Sequence, residues 1–330
     1  MTSTSDRPLR LGWWLSSEEH GARDLVEQAV RAEAAGFPTA MISDHLQPWV
    51  PGQGHAGHVW VTLGAIANAT DVLEVGTGVT AMVHRNHPVN VAHAAATAAV
   101  LFEDRFFLGV GSGERLNEQP FGGDWPRAGL RRRAMAEAID VIRRLWDGEE
   151  LDHDGARWRV EHLELRERPA APPPIYVAAG GRRSATVAGR RGDGLIAVTP
   201  DARVVDAYRG AGGQGPRLAQ VHVCLAGTAA AAEEIAWSWW PNGGIAPSVL
   251  SELARPEHFE AVGATTVRHA IHNTVVCATD AGPIVDAIDR YVGAGFDTVY
   301  LHQVGHDQER LLDVASRELL PHYRPLSGPD

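Results

Sequence analysis

The sequence predicts an α/β protein, a (β/α)8 TIM barrel with a helical insertion between its seventh and eighth strands. Short apolar segments rich in Val, Ile, Leu and aromatics recur with longer amphipathic stretches between them, the pattern of alternating strands and helices. Eight such segments match a barrel better than an open sheet of five or six strands. One unit also repeats: "AAGFPTAMI" at 34–42 and "GAGFDTVYL" at 293–301 both run helix, Gly-Phe, Thr, strand.

In chain order the segments are Arg10 to Ser16, Thr39 to Asp44, Leu73 to Thr80, Phe106 to Ser112, Ile175 to Ala179, Leu195 to Val198, Ala219 to Leu225 and Thr298 to Gln303. After the first, Ser16 and Ser17 offer a helix start. Leu25, Val26, Ala29 and Val30 then form a helical stripe, and Gly36 supplies a left-handed stop. From about Trp239 to Thr279 the rhythm breaks, and "PNGG" and "ARPEHFEAVG" read as a helical insertion on the side of the barrel where a pocket would lie. The whole chain, 1–330, reads as one domain, because 330 residues of which 44% are hydrophobic can fill one large core.

Composition excludes several classes. Cys224 and Cys277 match no metal or redox spacing, which favours a reducing compartment and gives no metal site. The opening "MTSTSDRPLR" has no apolar leader core, and no apolar run reaches membrane-spanning length, so a soluble cytoplasmic protein is expected. A net charge of -11 argues against nucleic acid and anionic membrane as partners, leaving a small-molecule substrate. The one basic run, Arg131-Arg132-Arg133, reads as a solvated helix face. Lysine is absent, so all 30 basic side chains are arginine, and a GxxxxGK[ST] phosphate loop and a Schiff-base lysine are both excluded.

In a barrel of this kind the chemistry lies at the carboxyl ends of the strands. There the sequence places Ser16-Ser17-Glu18, Asp44-His45, Thr77-Gly78-Val79, Gly113-Glu114 and Gly180-Gly181. One acid at a strand end is commonly a helix cap, but three acids and a histidine on one rim favour a site. "GVGSGERLNE" at 109–118 fails the dinucleotide fingerprint, since Glu114 stands where the third glycine belongs. Its glycines, with Gly76, Gly78, Gly180 and Gly181, would instead let something flat and large approach the backbone, or simply make tight turns. Gly180-Gly181 opens a helix whose free amides would suit a phosphate.

The stretches "ISDHLQPW", "VGTGV", "FFLGVGSGERLNE", "IYVAAGG", "GDGLI" and "HQVGHDQ", with "WPN" and "RPEHFE", resemble the luciferase-like superfamily. They look closest to its coenzyme F420-dependent oxidoreductases, which include the glucose-6-phosphate dehydrogenases. The resemblance implies that the deazaflavin ring lies across the barrel mouth, against a bulge with a non-prolyl cis peptide at Gly78-Val79. It implies that Asp44 orients the ring, His45 exchanges a proton with the substrate, Trp49 walls the reacting centre, Glu114 serves the ring edge and Glu18 is a further active-site acid. Thr77, Ser112, Gly113, Asn117 and Ala179 complete the implied cofactor lining, and Gly180 and Gly181 meet the phosphate. A homodimer is implied as well. Histidine suits the proton step, since its ordinary pKa of about 6.5 lies close to neutrality.

The chain departs from the glucose-6-phosphate enzymes at two places. Their phosphate-holding lysines align near Asp201 and Asn273, so glucose-6-phosphate is not the expected substrate. Flavin mononucleotide in the same mouth, giving a monooxygenase or flavin oxidoreductase, is the alternative. A carboxylate-pair hydrolase and a non-catalytic cofactor carrier are weaker: the first leaves the glycine-rich strand ends unexplained, and the second leaves His45 and Glu114 without a task.

Overall fold

Residues 9–323 are described by the computed structural model, and the opening residues Met1 to Pro8, part of the stretch read for a leader, lie outside them. All eight expected strand segments form strands: β1 (Arg10–Leu15), β2 (Thr39–Ile42), β3 (Glu74–Thr77), β5 (Phe106–Gly111), β8 (Ile175–Ala178), β9 (Gly194–Ala197), β10 (Arg217–Leu225) and β12 (Thr298–Gln303). They pair in parallel in the order β10-β12-β1-β2-β3-β5-β8-β9, and β9 returns to β10 through Arg217 to Ala219, which closes the barrel. The strands are apolar on both faces because helices cover the outside and side chains fill the inside.

The inward face follows the two-residue period of a strand. Trp14, Met41, Phe107, Tyr176, Ile196, Leu218 and Tyr300 pack together inside the barrel. Outside, α1 (Ala22–Ala35) buries Leu25, Gln28, Ala29 and Ala32 and ends at Gly36 with φ 97, the left-handed stop expected. Its start is later than expected: Gly21 is the N-cap, and residues 17–20 form a turn that leaves Ser16 to Glu19 buried at the barrel rim.

Four strands lie outside the expectation. The antiparallel hairpin β6 (Leu151–Asp154) and β7 (Arg159–Leu163) is mostly exposed and polar, so it has no apolar run to betray it. The two-residue β4 (Thr80–Ala81) pairs with β5. The insertion contains α9 (Pro247–Leu250), α10 (Pro256–Gly263) and two short turns, but it ends in a strand, β11 (Val275–Ala278). That strand pairs with β10 beyond the point where β9 stops, so the insertion is helical only in part.

Arg131 also differs from expectation. It lies on α5 (Ala128–Trp146) and is buried rather than solvated: its guanidinium stacks 4.1 Å over Trp125 and donates to the carbonyls of Ser112 (3.2 Å) and Pro126 (2.6 Å). Burial lowers its pKa, and the three contacts offset that cost. Arg133 is exposed, as the charge run suggested.

Candidate active site

Three strand ends bring the expected acids around His45. Its Nε2 lies 3.3 Å from Glu18 Oε1 and 3.6 Å from Glu114 Oε2. Its Nδ1 lies 3.1 Å from the Gln47 carbonyl and 3.2 Å from Asn117 Nδ2. Asn117, on the short helix α4 (Arg115–Glu118), also accepts from the amides of Leu46 and Gln47, so it fixes the loop that carries the imidazole. Neither acid is used as a helix cap: α1 is capped by Gly21, and Glu114 stands at the N-cap of α4 without a side-chain cap bond.

The two carboxyls are tuned apart. Burial pushes the Glu18 carboxyl up, but His45 and the hydrogen bond from Ser43 Oγ at 2.5 Å outweigh it, and its pKa is held below the ordinary value. Ser16 Oγ adds a second donor at 3.2 Å. For Glu114 burial wins: His45 opposes it, Glu18 and Glu118 reinforce it, and the pKa is raised. The Glu114 side chain keeps 39% of its surface accessible against 3% for Glu18, so it is the acid that faces the mouth. An acid held ionised behind the imidazole and a more easily protonated one beside it give the two carboxyls different proton affinities, as an acid and a base partner need.

Trp49 packs against His45 at a tilt of 53° with ring centroids 4.9 Å apart, and Phe259 of α10 meets Trp49 edge-on at 5.3 Å, so the insertion braces this wall. Asp44 is buried next to the dyad. Its Oδ2 accepts from Thr80 Oγ1 at 2.7 Å and its Oδ1 pairs with Arg85 at 2.8 Å, so both oxygens already hold protein donors. Arg85 and Glu118 were not foreseen. Glu118 is fully buried and accepts from the amides of His84 and Arg85, which fixes the segment that delivers the Arg85 guanidinium to Asp44. The pattern of alternating apolar residues gives no signal for either.

The peptide between Gly78 and Val79 is cis, as the resemblance implies. The glycines around it do something other than expected. A Cβ at Gly76 would stand 2.1 Å from the Phe107 ring, and one at Gly78 would stand 2.6 Å from Trp14. At Gly109 it would stand 1.9 Å from the Thr77 carbonyl, at Gly111 2.5 Å from Val79, and at Gly113 2.8 Å from Val83. The chain's own side chains and backbone therefore fill these notches. Thr77 is fully buried, and its hydroxyl bonds the carbonyl and amide of Gly109. The Ala179 amide donates to Ile196, and the Ser112 carbonyl is taken by Arg131. Of the strand-end glycines named above, Gly180 and Gly181 alone are open, with nothing within 4 Å of an added Cβ.

Gly181 caps α6 (Arg182–Arg191) without a side-chain cap bond, leaving first-turn amides available. Between α6 and α7 (Ala202–Gly210) runs a groove of about 730 Å³ whose charged lining is Arg182, Arg183, Arg190 and Arg203 with one acid, Asp206. It lies apart from the His45 cluster and would suit an anion extending from Gly180-Gly181. Asp201 caps α7 and is paired with Arg203 at 2.8 Å, so its charge is partly answered. Asn273 ends a short turn of the insertion. Among the described residues no helix is long and apolar enough to cross a membrane.

These features coincide with known proteins along nearly the whole chain. Residues 8–298 match the family model described as luciferase-like monooxygenase. The F420-dependent hydroxymycolic acid dehydrogenase of Mycobacterium tuberculosis is 36% identical over 95% of this chain and 88% of its own length. The F420-dependent glucose-6-phosphate dehydrogenase of Tsukamurella paurometabola is 34% identical over 96% and 99%. The structure of an F420-dependent secondary alcohol dehydrogenase in complex with an F420-acetone adduct superimposes with a TM-score of 0.90 at 26% identity, covering 96% of this chain and 100% of that one. By the span of these matches the chain belongs to the luciferase-like monooxygenase family, among its F420-dependent oxidoreductases.

Proposed function

We propose that this chain binds coenzyme F420 at the barrel mouth and catalyses hydride transfer between the deazaflavin and the carbinol carbon of an alcohol, or the carbonyl carbon of the matching ketone. The observation that carries this reading is His45 held with Nε2 between Glu18 and Glu114. The bound coenzyme supplies the hydride acceptor or donor. His45 Nε2 takes the hydroxyl proton as the alcohol is oxidised and returns it in the reverse direction. Glu18, kept ionised, stabilises the imidazolium, and Trp49 with Phe259 shields it from water. Glu114 faces the coenzyme edge, and Asp44, held by Thr80 and Arg85, sits behind it as a fixed negative charge. The open turn at Gly180-Gly181 would receive the coenzyme phosphate, and the arginine groove beyond it supports that placement.

Glucose-6-phosphate is outside this reading, because the chain has no lysine and presents Asp201 and Asn273 at the two places concerned. The resemblance adds a homodimer, which analytical ultracentrifugation checks. Fluorescence titration with F420 and, separately, with flavin mononucleotide tests the coenzyme. Micromolar or tighter binding of the deazaflavin supports the proposal; tight flavin binding without a deazaflavin response refutes it. Turnover of glucose-6-phosphate at sub-millimolar concentration would refute the substrate exclusion.

A further inference from the structure

The turn after β1 carries two adjacent acids that diverge. Glu18 reaches toward β2 and His45, whereas Glu19 reaches toward β12 and His302, and β2 and β12 are the two neighbours of β1 in the barrel. Glu19 is fully buried; it accepts from His302 Nε2 at 2.5 Å and from the Gly305 amide at 2.9 Å. The other nitrogen of His302, Nδ1, lies 2.7 Å from Nδ1 of His222 on β10. Both histidines lie on the inward face: His302 is two residues beyond Tyr300 and His222 four beyond Leu218, and these two line the barrel interior. His222 and His302 are register partners near the carboxyl ends of their strands.

The order of protons follows from the donors present. A carboxylate only accepts, so His302 carries its proton on Nε2. His302 Nδ1 and His222 Nδ1 then share one proton between them. The outer nitrogen of His222, Nε2, has no hydrogen-bond partner among the described residues. It is not one of the sealed atoms, and His222 keeps part of its surface accessible. Burial first, and then His302, hold the His222 pKa well below the usual histidine value, so it stays neutral. Trp240, from the start of the insertion, packs over both rings, with centroids 5.0 Å from His222 and 4.8 Å from His302. His302 also helps stabilise the Glu18 carboxylate, so the His45–Glu18 and His302–Glu19 pairs belong to one site.

We infer that His222 is a specificity-determining residue whose Nε2 hydrogen-bonds a second hydroxyl of the substrate, with Glu19 and His302 as positioning residues that fix its tautomer. The inference rests on the reading of His45 as the group that handles the reacting hydroxyl. The substrate class is therefore an alcohol bearing at least one further hydroxyl, held by two imidazoles on either side of β1.

Isopropanol and propylene glycol, which differ by one hydroxyl, are the probes, with F420 reduction as the readout. The intact protein should show a kcat/KM for the diol about tenfold or more above that for isopropanol, since a site built to bond a hydroxyl discriminates against its absence. His222→Asn keeps an amide at the level of Nδ1, able to bond His302, and removes Nε2; the ratio should fall to near one. No preference in the intact protein, a preference retained in His222→Asn, or F420 binding with neither alcohol oxidised would each overturn the inference while leaving the coenzyme reading standing. Failure to bind F420 would refute that reading. The nitrogen spectrum of 15N-histidine-labelled protein, assigned with the same variant, then decides the inference without a coenzyme. A neutral ring held in one tautomer at pH 7 is expected; a mixture of tautomers or an imidazolium would overturn it.

Discussion

Replacing His45 with asparagine tests the proposed chemistry at its centre. Asparagine keeps a polar atom near the place of Nδ1, so the contact with Asn117 can persist, but it removes the nitrogen that faces Glu18 and Glu114. A positioned general base contributes about a hundredfold to ten-thousandfold to rate. At about 1.36 kcal/mol per decade, the barrier should rise by about 3–5 kcal/mol. The assay follows loss of F420 absorbance at saturating alcohol, with F420 affinity measured separately. kcat should fall over that range while F420 affinity changes by no more than about threefold, because the imidazole is assigned to the proton rather than to coenzyme binding. A kcat within about threefold of the intact enzyme would refute the role. The substitution also takes away the imidazole that lies beside Glu18. At present the folded pKa of Glu18 is depressed, so its ionisation adds stability above the unfolded carboxylate value, about 4.3, and that contribution is lost as pH falls through the folded value. In the variant burial opposes ionisation with the Ser16 and Ser43 hydroxyls and His302 left to answer it. The gap in Tm between the two proteins should therefore shrink as pH falls below about 4. A gap that grows below about pH 4 would contradict the pairing.

Other expectations concern the scaffold. Gly180→Ala should leave Tm within about a degree, because nothing stands within 4 Å of the new carbon, and should weaken F420 binding about tenfold if the phosphate sits there. Gly109→Ala, with its carbon 1.9 Å from the Thr77 carbonyl, should instead fail to give a soluble, cooperatively melting protein; a normal melt would show that the barrel wall yields more than its packing implies. Arg131→Met keeps bulk over Trp125 and loses both carbonyl bonds, so thermal or urea unfolding should report a loss of about 2–4 kcal/mol, and no loss would mean that the loop finds other donors.

The barrel was legible because its strands are apolar on both faces, and that signal survives in a single sequence. The hairpin at 151–163 escaped because its alternation is polar and exposed, and β11 escaped because four apolar residues inside an irregular stretch look like any short buried turn. At the site, Glu18, His45, Trp49, Glu114 and Asn117 do come together. What spacing cannot reveal is which neighbour a side chain chooses. Adjacent Glu18 and Glu19 serve different strands, and Arg85, remote in sequence from Asp44, meets it only because Glu118 pins the intervening backbone. The glycines were the least legible. A missing side chain is equally compatible with a ligand and with a neighbouring ring, and only the packing decides.

That packing matters for how a ligand would arrive. Since Phe107, Trp14, Met41, Val79 and the Thr77 carbonyl already occupy the notches along β3 and β5, the floor of the mouth is finished before anything rests on it. A planar guest would meet a surface with few rotamers left to freeze, so little of its intrinsic attraction would be spent on ordering the host. The tuning of affinity among related chains should then fall to the rim, at the open turn of Gly180-Gly181 and in the inserted segment, where residues can vary without rebuilding the barrel.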